Sequence, residues 1–137
     1  MRTRSVREDD CDELGHVNNV TWVRFVIELA TAHSDAVGLD WDAYRALGGA
    51  FVVHRQEVEY LAPAVPGEAL REETWIVEMR GARCVRRSRF LRAVDAAVLL
   101  EARTTWVFAA LASGRPRRIP AAVGERFPVA ADGEVAA

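Results

Sequence analysis

The sequence contains no lysine, because all 18 of its basic residues are arginine. The absence of lysine excludes mechanisms that form a Schiff base with the protein. Only two cysteines are present, and the separation of Cys11 from Cys84 matches neither a disulfide framework nor a zinc-binding spacing. His33 and His54 have no partner at the spacing of metal ligands. We therefore expect two reduced thiols and no metal.

Long apolar runs and a large excess of charge are also absent. No stretch of about 18 residues is apolar throughout, which is the length that a membrane-spanning helix needs. Charged residues recur throughout positions 1–13, so this segment has no apolar stretch of signal-peptide length. The net charge of -2 removes the electrostatic attraction on which most nucleic-acid binders depend. These absences predict a cytoplasmic protein that binds neither membranes nor nucleic acids.

The length of 137 residues and an apolar content of 50% are typical of one globular domain. Periodic patterns weaken after Ser113 and Gly114, and the last residues are small and acidic. We therefore expect one domain over residues 1–121 and a flexible C-terminal tail over residues 122–137.

Residues 17–38 have the pattern of one long helix. Polar residues recur there at spacings of three and four, at Thr21, Arg24, Glu28, Thr31 and Asp35. Nearly all of the remaining residues are apolar. Such a helix is buried on most of its circumference. Asn18 and Asn19 are good N-cap residues, and Gly38 is a natural end. Asp40 is predicted to cap a second, short helix over residues 41–47.

Four strands follow the helices. Segments rich in β-branched, aromatic or alternating apolar residues are bounded by proline, glycine or turn residues, and they cover residues 51–61, 69–80, 83–94 and 98–111. Asp95, Ala96 and Ala97 are predicted to form a hairpin turn, although the favoured glycine is missing. Strands that follow one another directly favour antiparallel pairing. The predicted fold is therefore α+β, with a curved antiparallel sheet wrapped around the long helix.

The densest cluster of reactive side chains, residues 9–19, lies immediately before the long helix. A helix N-terminus presents unpaired N–H groups and a partial positive charge, which stabilise a developing oxyanion. A carboxylate such as Asp12 could attack a carbonyl held there, or activate water to attack it. Gly15 would let the loop approach a ligand closely. The alternative is an acidic loop that only caps the helix.

This cluster resembles the signature of a known family, the 4-hydroxybenzoyl-CoA thioesterase-like and acyl-acyl carrier protein thioesterase branch of the hotdog superfamily. The resemblance rests on Asp10, Asp12, Gly15, His16, Val17, Asn18, Asn19, Trp22, Phe25 and Glu28, and it extends through residues 58–64, 66–68, 105–107 and 115–120. It implies the hotdog fold and a homodimer in which two sheets join edge to edge, with the active sites at the interface. A homotetramer is the expected larger assembly.

The resemblance also implies roles for single residues. Asp12 would be the catalytic carboxylate, and the backbone N–H near Asn19 would polarise the thioester carbonyl. His16 and Asn18 match positions that orient substrate or water, although for His16 a structural role in the loop is the alternative. Trp22 stands where many relatives carry tyrosine, so an apolar wall of the acyl site replaces a hydroxyl. Glu28 is a weaker candidate for the catalytic acid.

Two alternatives concern charged side chains outside this loop. Glu28 is better explained by a pair with Arg24 on the helix surface. Arg86, Arg87 and Arg89 could bind the phosphates of coenzyme A. The alternative for these arginines is a solvated strand face paired with Glu72, Glu73 and Glu78 of the neighbouring strand.

The sequence therefore predicts an enzyme that hydrolyses an acyl thioester with water and needs no metal or organic cofactor. Coenzyme A or a phosphopantetheine carrier would be part of the substrate, so the expected partners are an acyl-CoA or an acyl carrier protein. The alternatives are a non-catalytic acyl-thioester binding protein and a thioesterase of a polyketide pathway. A hotdog dehydratase would need a different Asp and His arrangement.

Overall fold

The computed structural model describes residues 2–130. Its elements are, in chain order, β1 (Arg2–Ser5), α1 (Asn19–Ala36), α2 (Trp41–Leu47), β2 (Gly49–Tyr60), β3 (Ala69–Arg80), β4 (Arg83–Arg92), β5 (Val98–Ala110) and α3 (Ala121–Gly124). A single 3-10 turn covers Glu8–Asp10. The α+β fold is therefore as predicted, with both predicted helices and all four predicted strands within a few residues of their expected bounds, whereas β1 and α3 were not predicted.

The five strands form one antiparallel sheet in the order β1-β3-β4-β5-β2. The hairpin predicted between β4 and β5 is present, and Asp95 Oδ1 accepts a hydrogen bond from the N–H of Ala97 (3.1 Å). Ala96 takes a positive φ of 60°, the conformation that glycine would supply more readily. Irregular registers interrupt three of the strand pairs, and such bulges bend and twist a sheet.

Helix α1 is buried against the sheet by aromatic and aliphatic side chains on one broad face. Trp22, Phe25, Val26 and Leu29 are almost fully buried there in one core cluster with Phe90. The ring of Trp22 meets those of Phe25 and Phe90 edge to face, at centroid distances of 5.8 and 5.6 Å, a favourable aromatic geometry. This packing fixes the position of the helix N-terminus relative to the sheet.

Strand β1 carries no apolar pattern and was not predicted. It pairs with the start of β3, where Glu72 is fully buried. Arg4 donates a hydrogen bond to Glu72 and forms an ion pair with Glu28 at 2.8 Å. A buried carboxylate without a partner is strongly unfavourable. The ion pair with Glu72 therefore gives this polar strand its place at the sheet edge.

The chain continues to pack beyond residue 121. Val123 and Phe127 are buried in a second core cluster with Ile76, Cys84 and Phe108. The packed part of the chain thus reaches at least Phe127. Residues 131–137 of the predicted tail lie outside the described residues. No helix within residues 2–130 has the length and apolar character needed to cross a membrane.

Candidate active site

The loop before α1 is closed by an antiparallel bridge between Cys11 and Val17. Inside it the N–H of Asp12 donates to the carbonyl of His16 (3.0 Å), and the N–H of Gly15 donates to the carbonyl of Asp12 (2.9 Å). Gly15 has a φ of +76°, which a residue with a side chain adopts only with strain. The motif glycine is thus explained by a tight turn that presents residues 12–16 to solvent.

Asp10 attaches this loop to the helix. It is 6% exposed, and its carboxylate accepts from the N–H of Arg7 (2.9 Å) and from Arg24 Nη2 (3.1 Å). Its carbonyl also accepts from the N–H of Asn18 (3.2 Å). Asp10 belongs to the motif but had no predicted role. Its burial and its partners indicate that Asp10 positions the loop, while Asp12 is left exposed.

The start of α1 leaves two backbone donors available. The side chain of Asn18 accepts from the N–H of Thr21 (2.9 Å), so Asn18 is the N-cap, one of the two predicted candidates. The N–H of Trp22 makes the first intrahelical bond, to the carbonyl of Asn18. The N–H groups of Asn19 and Val20 therefore precede any intrahelical acceptor. The first turn carries only uncharged side chains, so no acid of the helix itself neutralises its partial positive charge.

Asp12 and His16 are both exposed beside this helix start. Asp12 Oδ1 accepts from the N–H of Leu14 (2.9 Å), which fixes the carboxylate, and the described residues supply no donor to Oδ2. The structure thus brings together Asp12, Gly15, His16, Asn18 and Asn19 in one loop and helix cap. A carboxylate and backbone N–H donors in one loop and helix start are the kinds of group that act on a bound carbonyl.

Cys11 is a poor nucleophile in this environment. Partial burial raises the pKa of its thiol, and the neighbouring charges of Asp10 and Asp12 raise it further. A raised pKa keeps the protonated form dominant at neutral pH, whereas the thiolate is the reactive form. The carboxylate of Asp12 is therefore the better candidate for the chemistry.

Trp22 is 3% exposed and belongs to the first core cluster, packed on Phe25 and Phe90. Its role as a wall of the acyl site stays a prediction. Glu28 pairs with Arg24 at 3.7 Å, which confirms the predicted pair on the helix surface.

The three arginines of β4 differ in their surroundings. Arg89 forms a two-point ion pair with Glu73, at 2.7 and 3.0 Å, as the alternative of a paired strand face predicted. Arg87 is half-buried. Arg86 is only 5% exposed and faces α1, where it contacts His33. Alternation along β4 with buried Cys84 and Ser88 could have identified Arg86 as inward-facing. Binding of coenzyme A phosphates by these arginines stays a prediction.

Comparisons with known proteins settle the family. The model of the thioesterase-like superfamily matches residues 6–127. The chain belongs to this superfamily. No curated protein sequence matches the chain. Within the described residues of this thioesterase-like protein, no group of three or more His, Cys, Asp or Glu side chains could hold a metal ion.

Solved structures show that the fold is the hotdog fold. A hypothetical protein from Aquifex aeolicus has a TM-score of 0.85 at 17% identity, over 93% of this chain and 98% of that one. A 1,4-dihydroxy-2-naphthoyl-CoA thioesterase from Synechocystis has a TM-score of 0.80 at 22% identity, over 87% and 88%. A protein from Staphylococcus aureus in complex with CoA has a TM-score of 0.86 at 12% identity, over 91% and 78%.

Proposed function

We propose that this protein is an acyl-CoA thioesterase, in which Asp12 acts on the thioester and the start of α1 stabilises the oxyanion. The observation that carries the proposal is the exposed Asp12 carboxylate, fixed by Leu14 in the loop that leads into the free N–H groups of α1. Membership of the thioesterase-like superfamily supports this chemistry, and the CoA complex of a similar fold supports coenzyme A as the carrier. An acyl carrier protein is the alternative carrier.

The reaction would begin with the thioester carbonyl oxygen placed against the N–H groups of Asn19 and Val20. Asp12 either attacks the carbonyl carbon itself or takes a proton from a water molecule that attacks it. The two N–H groups stabilise the negative charge that develops on the oxygen. The C–S bond then breaks and the thiolate leaves and takes a proton. If Asp12 has attacked, water hydrolyses the resulting anhydride and restores the carboxylate.

A homodimer is part of the proposal, because the loop is surrounded by exposed apolar side chains. Leu14 and Val20 are 79% and 72% exposed, and Tyr60 and Leu61 at the end of β2 are about half exposed. Strand β2 is 12 residues long and has no strand on its outer side within residues 2–130. Long unpaired edges and apolar patches are surfaces that a second chain covers. Sedimentation analysis should give at least twice the monomer mass, and a stable monomer would contradict the proposed homodimer.

The test of the chemistry is thiol release from a panel of acyl-CoAs with short, medium, long and aromatic acyl groups. Asp12→Asn should lower kcat by about a hundredfold or more, the usual cost of removing a general base. Asp9→Asn is the matched control, because Asp9 lies in the same acidic stretch, is highly exposed and pairs only loosely with Arg7, at 3.6 Å. It should retain activity.

Equal rates for the wild type and Asp12→Asn would refute the role of Asp12. The absence of hydrolysis across the panel would contradict the acyl-CoA proposal. The same panel presented on an acyl carrier protein would then decide between a carrier-dependent thioesterase and a binding protein.

A further inference from the structure

A cavity of about 220 Å³ lies near the C-terminal end of α1. Ser34, which lines it, is 15 residues from Asn19, which places it roughly 22 Å along the helix from the start of α1. Five aromatic side chains line it, those of Trp41, Tyr44, Phe51, Trp106 and Phe127. An apolar cavity of about 150 Å³ is enough to hold benzene. This cavity therefore has room for an aromatic ring with one polar substituent, apart from the Asp12 loop.

Arg86 supplies a buried positive charge at the cavity wall. Its Nη1 donates to His33 Nδ1 (2.8 Å) and to Thr74 Oγ1 (2.9 Å), and the ring of Phe127 lies 5.8 Å from its guanidinium. All three are neutral groups. Its Nε is buried without a hydrogen-bond partner, and no carboxylate within residues 2–130 forms an ion pair with it. A buried guanidinium without a counter-ion is unfavourable.

Arg86 is the only cation among the described residues that line the cavity. Burial lowers the pKa of Arg86 to about 10, so it stays charged at neutral pH. Burial and the charge of Arg86 lower the pKa of His33 to about 4, so His33 is neutral and accepts through Nδ1. Tyr44 stays protonated, since burial raises its pKa, and its hydroxyl is bonded to Ser34 at 2.6 Å.

A second polar side chain that lines the cavity, Trp106, also has a donor without a partner among the described residues. This donor, Nε1, is buried. Both hydrogen bonds of Arg86 use Nη1, so Nη2 has no hydrogen-bond partner among the described residues and is the donor left for a carboxylate. Asp35, the one carboxylate among the described residues that line the cavity, is exposed. It disfavours ligands with a second negative charge.

We propose that this cavity binds a small organic monocarboxylate of about the size of benzoate. The carboxylate accepts hydrogen bonds from Arg86, and the apolar body packs against the aromatic walls. The ligand neutralises a buried charge that the described residues leave unpaired. The site does not use Asp12, so this inference is independent of the proposed thioesterase activity.

Calorimetric titration of the full chain with benzoate and with benzamide tests the proposal. Benzamide has the same shape as benzoate but no charge. Benzoate should bind with one site per chain and at least tenfold more tightly than benzamide. Tryptophan fluorescence should change on binding, because Trp41 and Trp106 line the cavity.

Arg86→Met should lower the affinity for benzoate at least tenfold. Arg83→Met is the matched control on the same strand, because Arg83 pairs with Glu78 at 2.6 Å, outside the cavity. It should bind benzoate like the wild type, and so should Asp12→Asn, whether or not that variant has lost thioesterase activity.

The proposal fails if benzoate does not bind the wild type, or if Arg86→Met binds it equally well. It also fails if benzamide binds as tightly as benzoate. Circular dichroism checks the fold of each variant. If Arg86→Met does not fold, the comparison of benzoate with benzamide on the wild type decides alone.

Discussion

His33 should make the protein less stable as the pH falls from about 6.5 to about 4. The side chain is half-buried on α1 and accepts a hydrogen bond from Arg86, and its pKa is lowered from 6.5 to about 4 by burial and by that positive charge. In the unfolded chain His33 takes up a proton near pH 6.5, whereas in the folded chain it does so only near pH 4. Protonation in this window therefore favours the unfolded state.

The full pKa shift corresponds to about 3 kcal/mol, at 1.36 kcal/mol for each pH unit. Because His33 is only half-buried, solvent screening reduces the expected effect to about 1–2 kcal/mol. The contribution is fully present above pH 6.5 and is lost progressively towards pH 4. Carboxylates titrate in part of the same range, so the effect must be measured as a difference between two proteins.

The informative variant is His33→Asn, because Asn Oδ1 can take the place of His33 Nδ1 as an acceptor but does not titrate. The free energy of unfolding is measured by urea denaturation at pH 7.5, 6.5, 5.5 and 4.5. The wild type should lose about 1–2 kcal/mol more than His33→Asn over this range. His54→Asn is the control, because His54 is exposed on β2, and it should behave like the wild type.

Parallel loss of stability in the wild type and His33→Asn would refute the reasoning. An NMR titration that placed the pKa of His33 at 6 or above would refute it as well.

Two further predictions concern the ends of secondary structure elements. Asn18→Ala removes the acceptor for the N–H of Thr21 and should lower the free energy of unfolding, measured by urea denaturation, by about 1 kcal/mol. Asn18→Ser keeps an acceptor and should retain most of the wild-type stability. Ala96→Gly relieves the strain of a positive φ of 60°, which should raise the free energy of unfolding by about 0.5–1 kcal/mol and with it the thermal midpoint. Ala97→Gly should lower the thermal midpoint. Equal effects of the two glycine variants would contradict the explanation from backbone strain.

The sequence predicted the elements whose signals are local. The apolar positions of α1, the cap residues Asn18 and Asp40 and the alternation of β3 each depend on neighbours within a few residues. The bounds of α2 and β3 are the predicted ones, and the order of the elements was enough to indicate an antiparallel α+β fold. The loop of Asp12 and Gly15 was located for the same reason, because it borders a capped helix.

Other features depend on contacts between residues far apart in the chain, and only the tertiary structure decided them. Strand β1 has no apolar pattern of its own and is placed by the pairing of Arg4 with Glu72, 68 residues away. Val123 and Phe127 lie in a segment without periodicity and are buried because they pack into the second core cluster.

The burial of Arg86 in the candidate binding cavity also depends on contacts between residues far apart in the chain. Its sequence context is a run of arginines, and alternation along β4 sets it apart only because it shares a face with Cys84 and Ser88. The position of α1 over the sheet determines that this one is enclosed, beside His33 and an aromatic cavity. The sequence by itself thus determined the elements and the loop of Asp12, because those signals are local. The tertiary structure decided which charges are buried, because burial depends on the whole packed chain.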